Sequence, residues 1–381
     1  MSGDKIQIAL PFVGDEEFDQ VRDTIQSGWL TQGPKVAAFE AAFAKRHRVE
    51  RALAVTSCTT GMHLALVALG IGPGDEVIVP SFTWIATANV VMYTGATPIL
   101  ADVDPATYNI DPKSVEGLIT DKTKAVIAVH LFGLGAAMDE LRAILPEDMP
   151  IIEDAACGAG GSLGNQPLGG IGTCGVFSFH PRKTITTGEG GMITTQDAAL
   201  GEQLNMLRNH GASISEEQRH HGPRPHILPD FNILGFNYRM TDLQGAVGVE
   251  QLKRLDDLID ERARWAAWYR EQLADIPWLT LPQEPKSGRH AWQSFVVSVR
   301  PENAPCPRNE LMDRLDAAGV SVRPGTHAVH TLGFYADRFG YAPEDLPGAL
   351  DAAQNSMAIP LHNRMTEADY ARVVEVIRAQ A

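Results

Sequence analysis

The chain is expected to fold as an α/β protein: a large domain with a mostly parallel seven-stranded sheet between helices, then a smaller C-terminal α+β domain. Three observations lead there. Between residues 50 and 200, short apolar runs alternate with helical stretches, the pattern of repeated β-α units. Several runs are continuously apolar, as in Ala-Val-Ile-Ala-Val at 125–129, which suits strands covered on both faces. Beyond about residue 275 the rhythm changes to two strand-helix pairs, the mark of a second, smaller unit.

The candidate strands are 52–56, 76–80, 97–103, 125–130, 151–154, 175–180 and 191–195. Stretches 61–69, 85–93 and 138–145 place apolar residues at helical spacing between them. Residues 1–50 read as an arm with helices, including an amphipathic run at 35–45. The polar, proline-bearing stretch 212–230 reads as a loop, and 241–274 as one long helix or a bent pair. Strand 290–299, helix 308–318, strand 320–324 and helix 367–379 follow. The expected division is 1–250 for arm and large domain, 251–381 for the small one.

Composition narrows the partners. The 381 residues carry 47 acidic against 32 basic side chains, a formal net charge of −15. A surface that neutralises nucleic-acid phosphates has the opposite balance, so no nucleic acid is expected. Cys58, Cys157, Cys174 and Cys306 are widely spaced with no Cys-x-x-Cys, which argues against a disulfide framework and a zinc site. No signal-peptide pattern opens the chain, and no apolar run has the length of a membrane span. A cytoplasmic protein without a membrane partner is the expectation.

Chemistry concentrates around two residues. Asp154 ends the apolar strand Ile-Ile-Glu-Asp, where a carboxylate is costly unless paired. Lys183 lies in Ser-Phe-His-Pro-Arg-Lys-Thr-Ile-Thr-Thr-Gly-Glu-Gly-Gly (178–191), an apolar, glycine-rich setting unlike a surface helix. A desolvated lysine with a lowered pKa can form a Schiff base, and an aspartate at a strand end can hold a pyridine nitrogen protonated. Those are the two groups that pyridoxal 5'-phosphate (PLP) chemistry needs from a protein. Glu153 should point to the opposite face of the strand.

Other parts fit around them. Ser57-Cys58-Thr59-Thr60-Gly61 follows a strand and opens a helix, so its amides and hydroxyls suit a phosphate, although plain N-capping explains the same residues. Ser178 could add a donor. Trp84, after another strand, could stack on a heterocycle at the sheet's carboxyl edge or pack beneath a loop. Gly170-Ile-Gly-Thr-Cys-Gly175 matches Gly-x-Gly-x-x-Gly but precedes a strand, which argues against a dinucleotide site. His220, His221 and His226 lack the carboxylates or cysteines that would make a metal site, and no metal is expected. Of His327 and His330, either could face a substrate or cap the next helix.

Taken with Gly28-Trp-Leu-Thr-Gln-Gly-Pro34 and Gly235-Phe-Asn-Tyr-Arg-Met-Thr-Asp-Leu-Gln-Gly245, these motifs resemble the DegT/DnrJ/EryC1/StrS family of sugar aminotransferases over nearly the whole chain. The resemblance implies the fold type I PLP-dependent transferase architecture. It implies Lys183 as the Schiff-base residue, Asp154 at the pyridine nitrogen, Trp84 on the ring, and Ser178 with Cys58, Thr59 and Thr60 around the phosphate. Asn237 would cross a homodimer interface to the neighbouring phosphate, so that the active sites are shared. Cys157 stands where relatives often have His or Gln, and a thiol is a weak donor to the ring hydroxyl. A dehydrating branch replaces the lysine with histidine, so Lys183 favours transamination. The implied reaction takes an amino group from L-glutamate to a keto sugar on a nucleoside diphosphate, the 4-keto position favoured, with Trp29, Thr31 and His327 as sugar contacts. A keto-cyclitol acceptor and a non-catalytic PLP-binding relative are the alternatives.

Overall fold

The expected strands become β1 (Arg51–Val55), β2 (Glu76–Pro80), β3 (Thr97–Ala101), β4 (Thr123–Val129), β5 (Ile151–Asp154), β6 (Cys174–Ser178) and β7 (Gly191–Thr195). The structure is a computed structural model and describes residues 5–214, 226 and 228–380. The strands make one sheet in the order β1-β7-β6-β5-β4-β2-β3. Pairings β2/β3, β2/β4, β4/β5 and β5/β6 are parallel, whereas β7 runs antiparallel to both β6 and β1. The reversal follows from the connection 179–190, which holds no helix to cross a sheet face. It folds back, with Phe179 N donating to Gly190 O at 2.9 Å and Thr187 N to Phe179 O at 3.0 Å.

Alternate residues enter separate cores, as a sheet buried on both faces requires. Leu53 and Val55 of β1 join the cluster with Val77, Ile152 and Val176, while Ala52 and Ala54 join Phe39, Phe43 and Phe177. Helices α1 (Asp15–Ser27) and α2 (Pro34–His47) form the arm. Helix α3 (Cys58–Ala68) follows β1, and α4 (Ala86–Tyr93) follows β2. The stretch expected as one helix or a bent pair is two helices, α5 (Asp242–Lys253) and α6 (Leu255–Gln272), broken at Arg254.

The C-terminal part has its own core of Tyr269, Trp292, Phe295, Leu311, Tyr370 and Val373. Its four-stranded sheet orders β8 (Leu279–Thr280), β9 (Phe295–Val299), β11 (Ser356–Ile359) and β10 (Arg323–Pro324). Two expectations change here. The strand expected at 290–299 starts at Phe295, because Trp292 takes φ 45° while Ala291 N and Gln293 N bond to Gly133 O and Phe132 O. The strand at 320–324 shrinks to Arg323–Pro324, and Val320 instead bridges Ile6 of the arm.

Candidate active site

The carboxyl ends of β5 and β6 and the start of α3 meet at one place, the edge where open α/β sheets bind ligands. Asp154, the last residue of β5, is 4% exposed. Its Oδ2 accepts from Thr87 Oγ1 at 2.8 Å and its Oδ1 from Ala156 N at 3.1 Å, with Cys58 Sγ at 3.8 Å. Thr87 is itself 3.1 Å from Thr83 Oγ1. Since Thr87 gives its proton to Asp154, Thr83 donates to Thr87, and the two hydroxyls fix the carboxylate, Thr87 from α4 and Thr83 from the short strand before it. Neither threonine was singled out from sequence. The signal was two threonines flanking Trp84, one ending a short strand and one in the first turn of the helix after it.

Glu153 points the other way, as strand alternation demands. Fully buried, it accepts from Gly169 N at 2.7 Å, Ile171 N at 2.7 Å, Gly172 N at 2.6 Å and His130 Nε2 at 2.8 Å. The Gly-x-Gly-x-x-Gly match at 170–175 is thus a loop wrapped around a carboxylate of its own chain. Burial pushes the Glu153 carboxyl up, but His130 and the loop amides outweigh it, and the net displacement is below its ordinary value.

Lys183 sits on the 179–190 excursion, its Nζ donating to Cys157 Sγ at 3.2 Å. Thr186 Oγ1 on Phe179 O at 2.8 Å and Thr186 N on Gln251 Oε1 at 3.1 Å pin that excursion. Gly190 needs its glycine: φ is 154°, and a Cβ would fall 2.4 Å from Thr187 Oγ1. The expectation of a lowered lysine pKa is corrected here. Burial does pull it down, but Cys157, Cys58 and Asp154 pull harder the other way, and the net direction is up. Burial and Asp154 hold the Cys58 thiol well above its ordinary value. His180 goes down, first through its own burial.

The turn before α3 divides its groups. Ser57 Oγ accepts from Thr60 N at 3.1 Å, and Thr60 Oγ1 donates to Ser57 O at 2.8 Å and lies 3.0 Å from Thr56 Oγ1. Cys58 turns its sulfur inward to Val176 O at 3.5 Å. The N-capping reading therefore holds for Ser57 and Thr60. What remains free for an anion is the Thr59 hydroxyl, without a partner among the described residues, and the first amides of the helix. Gly191 lets β7 approach this turn, since a Cβ there would lie 2.7 Å from Cys58 N. Ser178 pairs with Gly191 from β6, and its Oγ lies 3.4 Å from His180 N.

Trp84 is 60% exposed, and its ring lies 5.6 Å from that of His327, which pairs with Thr83. His330 is not available to a ligand. It is fully buried, with Ser81 Oγ at 2.7 Å on Nδ1 and Pro343 O at 2.9 Å on Nε2. Trp29 and Thr31 stand apart on the arm, where Trp29 Nε1 donates to Gln32 O at 3.1 Å and Thr31 O accepts from Asp242 N at 3.2 Å. Asn237 is exposed and bridges Asn209 through its backbone. Among the described residues no group of three or more His, Cys, Asp or Glu could hold a metal; His220 and His221 lie outside the described residues.

A lysine, a fixed carboxylate, an uncovered indole and a free helix start fit the amine, ring nitrogen, ring face and phosphate contacts that PLP requires. The family model of the DegT/DnrJ/EryC1/StrS aminotransferases matches residues 11–378. The chain belongs to this family. It is 40% identical over 376 residues to GDP-perosamine synthase of Caulobacter vibrioides, covering 98% of this chain and 97% of that one. It is 38% identical over 372 residues to the spore coat polysaccharide biosynthesis protein SpsC of Bacillus subtilis, covering 97% and 95%. The solved aminotransferase from Psychrobacter cryohalolentis superposes with a TM-score of 0.92 at 32% identity, covering 98% of each chain. PLP-dependent sugar aminotransfer is thus the activity of the family to which the fold and the sequence both assign the chain. Among the described residues no helix is long and apolar enough to cross a membrane.

Proposed function

We propose that this protein transfers an amino group from L-glutamate to the 4-keto position of a nucleoside-diphosphate sugar, giving an amino sugar and 2-oxoglutarate. The observation that carries the reading is Lys183, on the connection after β6, whose Nζ donates to Cys157 Sγ three residues beyond Asp154 at the carboxyl end of β5. The 40% identity with a protein named GDP-perosamine synthase favours a nucleotide sugar over a free cyclitol.

Lys183 Nζ is the base and acid of the reaction. Freed by the amino donor, it would take the proton from the donor Cα and would give one to the acceptor carbon in the second half-reaction. Asp154, its direction set by Thr87, holds the proton on the ring nitrogen. The cofactor, when bound, supplies the electron-withdrawing ring that makes the Cα proton acidic. Thr59, Ser178 and the amides opening α3 would hold the phosphate, Trp84 would cover the ring, and His327 beside it would meet the acceptor.

We also infer a homodimer with shared sites. Leu228, Phe231 and Leu234 are 74%, 61% and 87% exposed on the segment that carries Asn237, an apolar surface that a second copy would cover. A panel of 4-keto and 3-keto nucleotide sugars and keto-cyclitols, each with L-glutamate and assayed for 2-oxoglutarate, tests the assignment. Turnover with 4-keto nucleotide sugars is expected; turnover confined to cyclitols would overturn it.

A further inference from the structure

Gln251, in the last part of α5, touches no group of the site, yet it is 1% exposed and fully engaged. Its Oε1 accepts from Thr186 N at 3.1 Å, and its Nε2 donates to Phe12 O at 2.8 Å and to Glu17 Oε1 at 2.9 Å. A carbonyl and a carboxylate are acceptors, so the amide cannot turn over, and its oxygen is left facing Thr186. Glu17 is fixed in turn. It accepts from Gly14 N at 2.7 Å and from Arg254 Nη2 at 3.2 Å.

Thr186 stands three residues beyond Lys183 on the 179–190 excursion, which holds no helix or strand. The place of the lysine is therefore set by tethers. Within the excursion, Lys183 N donates to His180 O at 2.8 Å and Thr187 N to Phe179 O at 3.0 Å. From outside, Gln293 Nε2 donates to Arg182 O at 2.8 Å, Gln244 Nε2 donates to Glu189 O at 2.6 Å, and Gln251 accepts from Thr186 N. Gln244 and Gln251, seven residues apart, share one face of α5. The first turn of the same helix grips the arm, where Asp242 accepts from Gly33 N at 2.9 Å, Lys35 N at 3.0 Å and Val36 N at 2.9 Å. Of these side chains, Gln251 is the one that bonds arm and excursion at once.

We propose that Gln251 is a positioning residue for Lys183: through Thr186 it sets the excursion that carries the lysine, with the arm at Phe12 and Glu17 as its anchor. This rests on the reading of Lys183 as the reacting amine. The ammonium rides on a flexible four-carbon stem, so its aim comes from the backbone beneath it. A shift of about 1 Å caused far from the chemistry can lower a rate about 100-fold.

The test follows the bleaching of the visible PLP band by L-glutamate alone, and the pH at which that band develops, in PLP-loaded protein. Gln251→Met keeps an unbranched side chain of similar size and removes all three bonds. Its limiting bleaching rate should fall about 10- to 100-fold, with the half-saturating L-glutamate concentration within about twofold of wild type. Cys157, Cys58 and Asp154 face the Lys183 amine, and His180 lies beside it on the excursion. A lysine drawn away from Cys157 should develop the band at lower pH, and Gln251→Met added to Cys157→Ala should shift the midpoint no further than Cys157→Ala alone. Gln251→Glu sets a carboxylate against Phe12 O and Glu17, and Glu17→Gln in the same chain returns a donor between positions 17 and 251. That pair should recover most of the rate lost in Gln251→Glu, and serves if the methionine variant does not fold. A wild-type rate in folded Gln251→Met would overturn the proposal. So would a slower rate with an unmoved midpoint, which assigns Gln251 a structural role only, or a pair no faster than Gln251→Glu. No band in wild-type protein would remove Lys183 as the reacting amine and this proposal with it. If another amino acid and not L-glutamate bleaches the wild-type band, the donor reading fails separately, and that amino acid takes its place in the comparison.

Discussion

Glu153→Gln is expected to be severely destabilising although it changes one atom. Each oxygen of Glu153 accepts two hydrogen bonds: Oε1 from Ile171 N and Gly172 N, Oε2 from Gly169 N and His130 Nε2. An amide must put an NH2 in one of those places, facing two donors. Toward Oε1, both donors are backbone and cannot adjust. Toward Oε2, His130 could relieve the clash by moving its proton to Nδ1. That nitrogen already accepts from Ala136 N at 3.0 Å, so the clash would only move. Either way two hydrogen bonds to a buried charge disappear, at about 1.5–3 kcal/mol each, or about 3–6 kcal/mol together. That is a large share of the roughly 5–15 kcal/mol that holds a domain folded.

Urea denaturation of wild type and variant at matched protein concentration measures the loss, as a fall in midpoint with the slope unchanged. The difference should also depend on pH. Because the folded Glu153 lies below its ordinary value, its stabilisation is fully present above the unfolded carboxylate range and is lost as pH falls through the folded value. The gap between the proteins should therefore close in acid. A loss under about 1 kcal/mol at neutral pH would refute the four-bond account, since it is less than a single such bond.

Lys183→Ala should retain PLP without a covalent link and lose at least about 100-fold in turnover, the lower end of general acid–base contributions; near-normal turnover would remove Lys183 from the mechanism. Asn237→Ala should weaken PLP retention about tenfold, one hydrogen bond to a charged group, as read by titrating apoprotein with PLP; retention equal to wild type would discredit the cross-subunit role. In Cys157→Ala, burial still lowers the Lys183 pKa, but the largest upward push is gone. The neutral amine then appears at lower pH, so the midpoint for developing the visible PLP band should move down. A midpoint that stays or rises would show that Cys157 does not hold the ammonium.

What could be read in advance was the part fixed by short-range pattern. Short apolar runs, several of them continuous, located all seven strands of the large sheet, and Asp154 and Lys183 stood out because a carboxylate ending a buried strand and a lysine among glycines both need a reason. The contacts between these segments were hidden. Lys183 meets Cys157 across two strands, and Thr87 looks like any helix threonine until Asp154 is placed beside it. The net direction of the Lys183 pKa depended on those same contacts. Ser356–Ile359, central in the small sheet, was missed because it is four residues long and directly follows a helix. Val320 left its expected strand to bridge Ile6, more than three hundred residues away in the chain.

The most direct test of the central claim is the visible absorption spectrum of the purified protein with PLP, before and after L-glutamate alone. The account predicts a band that forms on adding PLP, is absent in Lys183→Ala, and fades with L-glutamate before any sugar is present. No band with PLP would contradict the assignment of Lys183, and a band that L-glutamate leaves unchanged would contradict the donor half of the proposed reaction.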